Sequence, residues 1–176
     1  EQLMDNDILR CRLEALNSGD MDAFEEIYSA LKVPIYTIIF RILYDEPLAE
    51  DVMQEVFIKL FRSPPGSHVK NPRAWIFQIA RNLAIDNKRK SMKHLSSDGM
   101  KSTELPIEDT IGMKVDIETA MGVLPLDERE IVALHINAGL KFREIADITE
   151  RPLGTVLWKY QKALDKLRLY LSGGAI

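Results

Sequence analysis

NPRAWIFQIARNLAIDNKRKSMKH, Asn71 to His94, is a strongly basic stretch inside a chain of formal net charge −4. It opens as a helix opens: Asn71 caps, and Pro72 takes the first helical position, where a missing N–H costs nothing. Ile76, Ile79 and Leu83, flanked by Trp75 and Ala80, recur at helical spacing and predict an apolar stripe facing a core. The other side and the far end hold seven Lys and Arg between Lys70 and Lys93, against Asp86 alone. Such a helix on its own reads equally as a solvated surface. The aromatics among its cations, Trp75 and Phe77 among Arg73 and Arg81, suit a surface for unpaired bases, because bases stack on rings while cations follow phosphates; Trp75 equally fits a core.

Charge alternates along the chain. Residues 1–66 carry −7, residues 67–94 carry +6, residues 95–128 carry −6 and residues 129–176 carry +3. Two basic blocks point to nucleic acid at two places, and the acidic blocks to a different partner or to mutual screening. With 46% hydrophobic and 28% charged residues the 176-residue chain is globular, of one domain or two small ones. The most apolar run, Ile35 to Leu43, is interrupted by Arg41 and falls short of the roughly 18 residues of a membrane span. With no secretion signal, a single Cys11 expected to be a small buried hydrophobe, and His68, His94 and His135 scattered, the chain is expected to be cytoplasmic, without metal or cofactor, and not inserted in a membrane.

Upstream of the basic helix, three helices are expected. Ile8, Leu9, Cys11, Leu13 and Leu16 mark the first, from Asp7 to Asn17. The second is capped by Asp22, carries apolar residues from Phe24 to Ile42, and is expected to bend at Pro34. In the third, Ala49, Val52, Met53, Val56, Phe57 and Leu60 fall at i, i+3, i+4, i+7, i+8 and i+11, a core stripe. Its opposite face is Asp51, Gln54, Glu55, Ile58 and Arg62. An acidic face reads first as solvated, but an apolar Ile58 ringed by Asp, Gln and Glu sketches a docking surface for a basic partner. A loop from Ser63 to Lys70, with Pro64-Pro65-Gly66, then delivers the chain to Asn71.

Beyond His94, weak periodicity and polar, acidic composition from Leu95 to Met113 predict a flexible linker. The expected architecture is therefore all-α: a first domain over 1–94, a linker over 95–115 and a second domain over 116–176. In the second, a short helix stops at Pro125, another spans Leu126 to Ala138 with Ile131, Val132, Leu134 and His135 at core spacing, and Gly139 ends it. Lys141 to Thr149, a tight connection at 150–154 and a final helix from Thr155 to Leu171 make a helix-turn-helix. Val156, Tyr160, Ala163 and Leu167 point inward, which turns Trp158, Gln161, Lys162 and Asp165 outward, with Leu157 and Lys159 flanking. That outward arc is what would enter a major groove, where Gln reads adenine and Lys reads guanine or holds phosphate. A purely structural helix pair is the alternative. No nucleophile–base pair, phosphate-cradling glycine loop or metal spacing is seen, so no enzyme is expected.

Four motifs in this order, GDMDAFEEIY (Gly19 to Tyr28), LAEDVMQEVFIKLF (Leu48 to Phe61), NPRAWIFQIARNLAIDNKRK (Asn71 to Lys90) and the segment Leu124 to Arg168, resemble the extracytoplasmic-function sigma factors of bacterial RNA polymerase, over nearly the whole chain. The resemblance implies that Asp51, Gln54, Glu55 and Ile58 dock on the clamp helices of the largest polymerase subunit, with the flap region as a second contact. It implies that the loop and basic helix, through Ser67, His68, Lys70, Arg73, Arg81, Asn82, Lys88 and Arg89, capture a flipped base of the melted minus-ten element. It implies too that Arg151, Thr155, Leu157, Trp158, Lys159, Gln161 and Lys162 read the minus-thirty-five element as duplex, and that an anti-sigma factor is a partner. After Gly154-Thr155-Val156 the family usually places a basic and then a small residue, where this chain has Leu157 and Trp158, so the resemblance implies DNA binding but does not carry over a promoter preference. The rival readings are a stand-alone helix-turn-helix repressor and a helical adaptor that binds only proteins.

Overall fold

The computed structural model describes residues 4–97 and 117–173. Its elements are α1 (Asn6–Asn17), α2 (Met21–Leu43), α3 (Glu46–Arg62), α4 (Pro72–Ser97), α5 (Ile117–Gly122), α6 (Leu126–Ile136), α7 (Phe142–Thr149) and α8 (Leu153–Leu171), with no strand among the described residues. The linker expected over 95–115 lies outside them, apart from its first three residues, which continue α4.

Caps set the starts of the first three helices. The Asp5 carboxylate accepts from Asp7 N–H, that of Asp20 from Asp22 and Ala23 N–H, and that of Asp45 from Leu48 N–H. Each satisfies a donor that a helix start leaves orphaned. The cap of α2 is thus Asp20 rather than Asp22, and α3 begins one turn before the apolar stripe that announced it. Pro34 lies inside α2 without ending it.

In the first group α2 is the central helix, touching α1, α3, α4 and also α6. Its second half buries Ile35, Ile38, Ile39, Arg41 and Ile42 and leaves Tyr36, Thr37, Phe40 and Leu43 partly exposed. That accounts for the Ile35–Leu43 run: a helix covered over most of its surface needs little polar face. No helix of the described residues is long and apolar enough to cross a membrane.

The stripe on α3 is buried as the spacing predicts, with Met53 partly so. Two expectations are corrected. Phe77, read among candidate base-stacking residues, is fully buried beside Ile76 and Ala80, because its position on α4 faces α2 and α3 rather than the cations. Cys11, read as a buried hydrophobe, is exposed, since Leu9, Leu13 and Leu16 fill the inward face of α1.

In the second group α8 packs on α5, α6 and α7. Among the described residues, two that are not glycine adopt left-handed conformations at helix ends, Tyr44 after α2 and Glu150 in the turn between α7 and α8. The two groups share one apolar core: Ile131, Leu134, Leu140, Ile145 and Val156 belong to the same buried cluster as α1 to α4. In the middle of this core α6 buries seven successive residues, Glu128 to Leu134, because α2 covers one side and α8 the other.

Candidate nucleic-acid interface

The loop before α4 is built by its own sequence. Pro65 is buried, Val69 N–H closes a turn onto the Gly66 carbonyl at 3.0 Å, and Ser67, His68 and Lys70 are exposed. A Cβ on Gly66 would lie 2.9 Å from His68 Nδ1, so glycine there lets the imidazole fold against the backbone. Asn71 caps α4 as the sequence predicts, accepting from Ala74 N–H at 3.0 Å; its amide also donates to Glu144 on α7. Trp75 is half-buried at a cleft of about 250 Å³ between α4 and α7 that Asn71, Gln78, Glu144, Asp147 and Ile148 also line.

The predicted cations of α4 divide in two. Arg89 is exposed and only loosely paired with Asp86 at 3.8 Å, and Asn82 is exposed. Arg73, Arg81 and Lys88 turn toward protein instead. The Arg73 guanidinium donates to the Met4 carbonyl. Arg81 pairs with the buried Glu130 carboxylate of α6 and donates to the Ile148 carbonyl at 3.4 Å. Lys88 Nζ donates to the Ile42 carbonyl at 2.8 Å, and burial, helped by the charge of Arg129, pushes its pKa down.

A polar seam that the sequence reading missed joins the two groups. Arg41, only 6% exposed, donates through Nη2 to Glu118 Oε1 at 2.7 Å and through Nη1 to the Asn137 side chain. Arg129 donates to four carbonyls: Met121 at 2.9 Å, Arg41 at 3.2 Å, Gly122 at 3.1 Å and Leu124 at 2.7 Å. Its guanidinium also lies 4.4 Å from the centre of the Tyr44 ring. The available signal was a charge within apolar surroundings, Arg41 in its isoleucine run and Arg129-Glu130 before Ile131-Val132.

On α8 the outward arc is where the spacing put it. Leu157 is 43% and Trp158 58% exposed, and Gln161 and Lys162 are exposed. Lys162 Nζ stands 4.8 Å above the Trp158 ring, and Gln161 Nε2 donates to Asp165 at 3.1 Å. Lys159 differs, because its Nζ is bound to Asp127. Burial pushes the Asp127 carboxyl up, but the Lys159 hydrogen bond and charge, with Arg151 nearby, outweigh it and hold the pKa below the ordinary value. Thr155 is half-buried, and Arg151 Nη1 lies 3.8 Å from Glu130 Oε2, without a hydrogen bond.

On α3, Asp51, Gln54, Glu55 and Ile58 are all exposed, Ile58 to 48%. A groove of about 320 Å³ between α2 and α3, lined by Lys32, Val33, Tyr36, Glu50, Met53 and Gln54, runs beside them.

Comparison with known proteins places both helix groups. Residues 27–94 match the family model of sigma-70 region 2, and residues 114–167 that of sigma-70 region 4. The chain is 26% identical to the ECF RNA polymerase sigma factor SigW of Bacillus subtilis, over 93% of this chain and 97% of that one. It is 28% identical to SigM of the same organism, over 81% and 93%. Among solved structures, the fold resembles that of the sigma factor RpoE in complex with the anti-sigma factor NepR from Bartonella quintana (TM-score 0.67, 24% identity, 85% of this chain and 96% of that one). It also resembles CnrH in complex with the cytosolic domain of CnrY (TM-score 0.65, 19% identity, 96% and 99%).

Proposed function

Because this chain belongs to the sigma-70 family, and within it to the extracytoplasmic-function sigma factors of bacterial RNA polymerase, we propose that it divides the work of initiation among three surfaces of its own. Sigma factors are initiation factors rather than catalysts. This one binds polymerase core and directs promoter recognition, melting and initiation. Residues 1–94 would form the polymerase and minus-ten unit and residues 116–176 the minus-thirty-five unit.

The observation that carries the reading is the clean division of α3. Its apolar stripe is buried, while Asp51, Gln54, Glu55 and Ile58 stand together in solvent around an apolar residue that nothing in the fold needs exposed. We assign this face to the polymerase. Removing its charge with Asp51→Asn and Glu55→Gln is expected to weaken core binding by about 1.4 kcal/mol, roughly tenfold, because exposed interfacial charges act mainly on encounter. Equilibrium binding to purified core checks it, and unchanged affinity would remove the face from the interface. Run-off transcription with core polymerase and a promoter library tests the function as a whole: a stand-alone repressor would bind duplex tightly without polymerase and yield no transcript.

The helix-turn-helix surface is assigned to duplex through Trp158, Gln161 and Lys162, with Arg151, Thr155 and Leu157 at its edge. Gln161→Ala is expected to change base preference at one or two upstream positions by about 1–3 kcal/mol. Lys162→Ala should weaken all sequences alike and reduce the salt slope by about 1. Lys159, already bound to Asp127, should matter less to the slope than Lys162. Binding-site selection at two salt concentrations separates these outcomes.

The loop and α4 are assigned to the melted strand, through Ser67, His68, Lys70, Asn82 and Arg89 as they stand, and through Arg73, Arg81 and Lys88 once their protein partners release them. An anti-sigma factor is proposed as a further partner and the cytoplasm as the place of action, consistent with structurally similar sigma factors having been solved with bound partners.

A further inference from the structure

Helix α1 precedes the segment matched to region 2, yet three of its polar side chains hold one loop. Asn6, Arg10 and Asn17, four and seven residues apart, lie on one side of the helix, next to the buried Leu9, Leu13 and Leu16. Arg10 Nη2 donates to the Lys70 carbonyl at 2.7 Å, and its Nη1 is steadied by Asp7 at 3.1 Å. Asn17 Nδ2 donates to the Pro65 carbonyl at 3.2 Å. Asn6 Nδ2 donates to the Asn71 side chain at 3.0 Å, while its Oδ1 accepts from Arg73 N–H at 3.3 Å.

The clamps therefore fall on both ends of the loop, at Pro65 and at Lys70–Asn71, and leave Ser67 and His68 exposed between them. A loop fixed at both ends by donors from a packed helix presents its middle in one arrangement. Side chains held that way lose little freedom when a ligand arrives, and a wrong ligand cannot be met by reshaping the loop.

We infer that Arg10 and Asn17 are positioning residues for base selection: α1 sets the geometry in which the 66–69 turn meets an unpaired base, an inference that rests on the reading of that loop as the minus-ten pocket. The two residues touch no base themselves. Their removal should relax discrimination more than it lowers polymerase affinity or fold stability.

The test is open-complex formation by the full chain with core polymerase, on promoters carrying each of the four bases at the captured position. Arg10→Ala and Asn17→Ala are each expected to lose about 2- to 12-fold on the preferred base, the span of one net hydrogen bond. Less should be lost on the other three bases, so that the selectivity ratio falls, with core affinity unchanged and the melting temperature lowered by no more than the few degrees that one lost hydrogen bond costs. Arg10→Lys, which keeps a cationic donor, should recover part of the ratio. Equal loss on all four bases, or none, overturns the inference. Ser67→Ala and His68→Ala in the same assay show which idea has failed: a flattened ratio in the loop variants but not in the α1 variants overturns the positioning role alone, and a flattened ratio in neither overturns the pocket as well.

Discussion

Replacing Arg129 with Met is expected to lower the unfolding free energy by about 3–5 kcal/mol, because several carbonyl oxygens inside the protein lose a charged donor at about 1–3 kcal/mol each. The side chain is buried and forms no salt bridge: it meets carbonyl oxygens and a ring rather than a carboxylate. Three of its four acceptors, Met121, Gly122 and Leu124, lie in the last turn of α5 and just beyond it, where a helix leaves its carbonyls unpaired and its dipole is negative. The fourth, Arg41, belongs to α2, so one guanidinium holds the second group to the first. Methionine would fill the space but take a donor from all four carbonyls, of which only that of Met121 keeps another, Leu124 N–H at 3.2 Å. Arg129→Lys keeps the charge but has a single nitrogen, which cannot reproduce the planar fork, and should recover only part of the loss. Chemical denaturation checks this, and a lysine variant as stable as the parent would show that charge alone suffices.

How much of this was legible in the sequence follows from the reach of each interaction. Local periodicity found the α3 stripe, the start of α4 and the arc of α8, because a helix repeats its environment every three to four residues. The docking of the two groups was not legible. On α6 the burial of Glu128 through Leu134 has no period, since protein lies on both sides. The fate of each cation was hidden for a related reason. Arg81 and Lys162 look alike in a sequence, yet one is held in a close pair by a carboxylate 49 residues away, while the other stands exposed over an indole with Glu128 Oε1 only loosely paired at 3.9 Å. Phe77 was misread because an aromatic between two arginines has the composition of a base-stacking surface, while its position on the helix turns it to the core. The usable hints were charges in apolar surroundings: Arg41 spoils an otherwise unbroken apolar run, as Arg129-Glu130 does before Ile131-Val132, and a charge tolerated there must have a partner.

Glu130→Lys is expected to separate the two groups and expose the proposed strand-binding face of α4. Glu130 is 2% exposed and holds Arg81 of α4 through one oxygen, with Arg151 of the helix-turn-helix 3.8 Å from the other. One carboxylate thus faces an arginine from each of the two proposed DNA surfaces. A lysine at its place would set three cations together in a buried site, at a cost of about 3–5 kcal/mol. Most of that cost is escaped if α4 moves away from α6 and α7, because Arg81 then reaches water. A compact chain of this length has a radius of gyration of about 16 Å, and the separated form should exceed it clearly in solution scattering. Free protein should then bind an unpaired strand more tightly, since apparent affinity rises with the fraction of molecules in the competent form. The milder Glu130→Gln, which forfeits a charged hydrogen bond of about 1.5–3 kcal/mol, should raise that affinity by about 10- to 100-fold if the closed form dominates by at least as much. An unchanged radius and unchanged strand affinity in both variants, with the helix content intact, would mean that the apolar contact between α2 and α6 closes the molecule without help from this carboxylate.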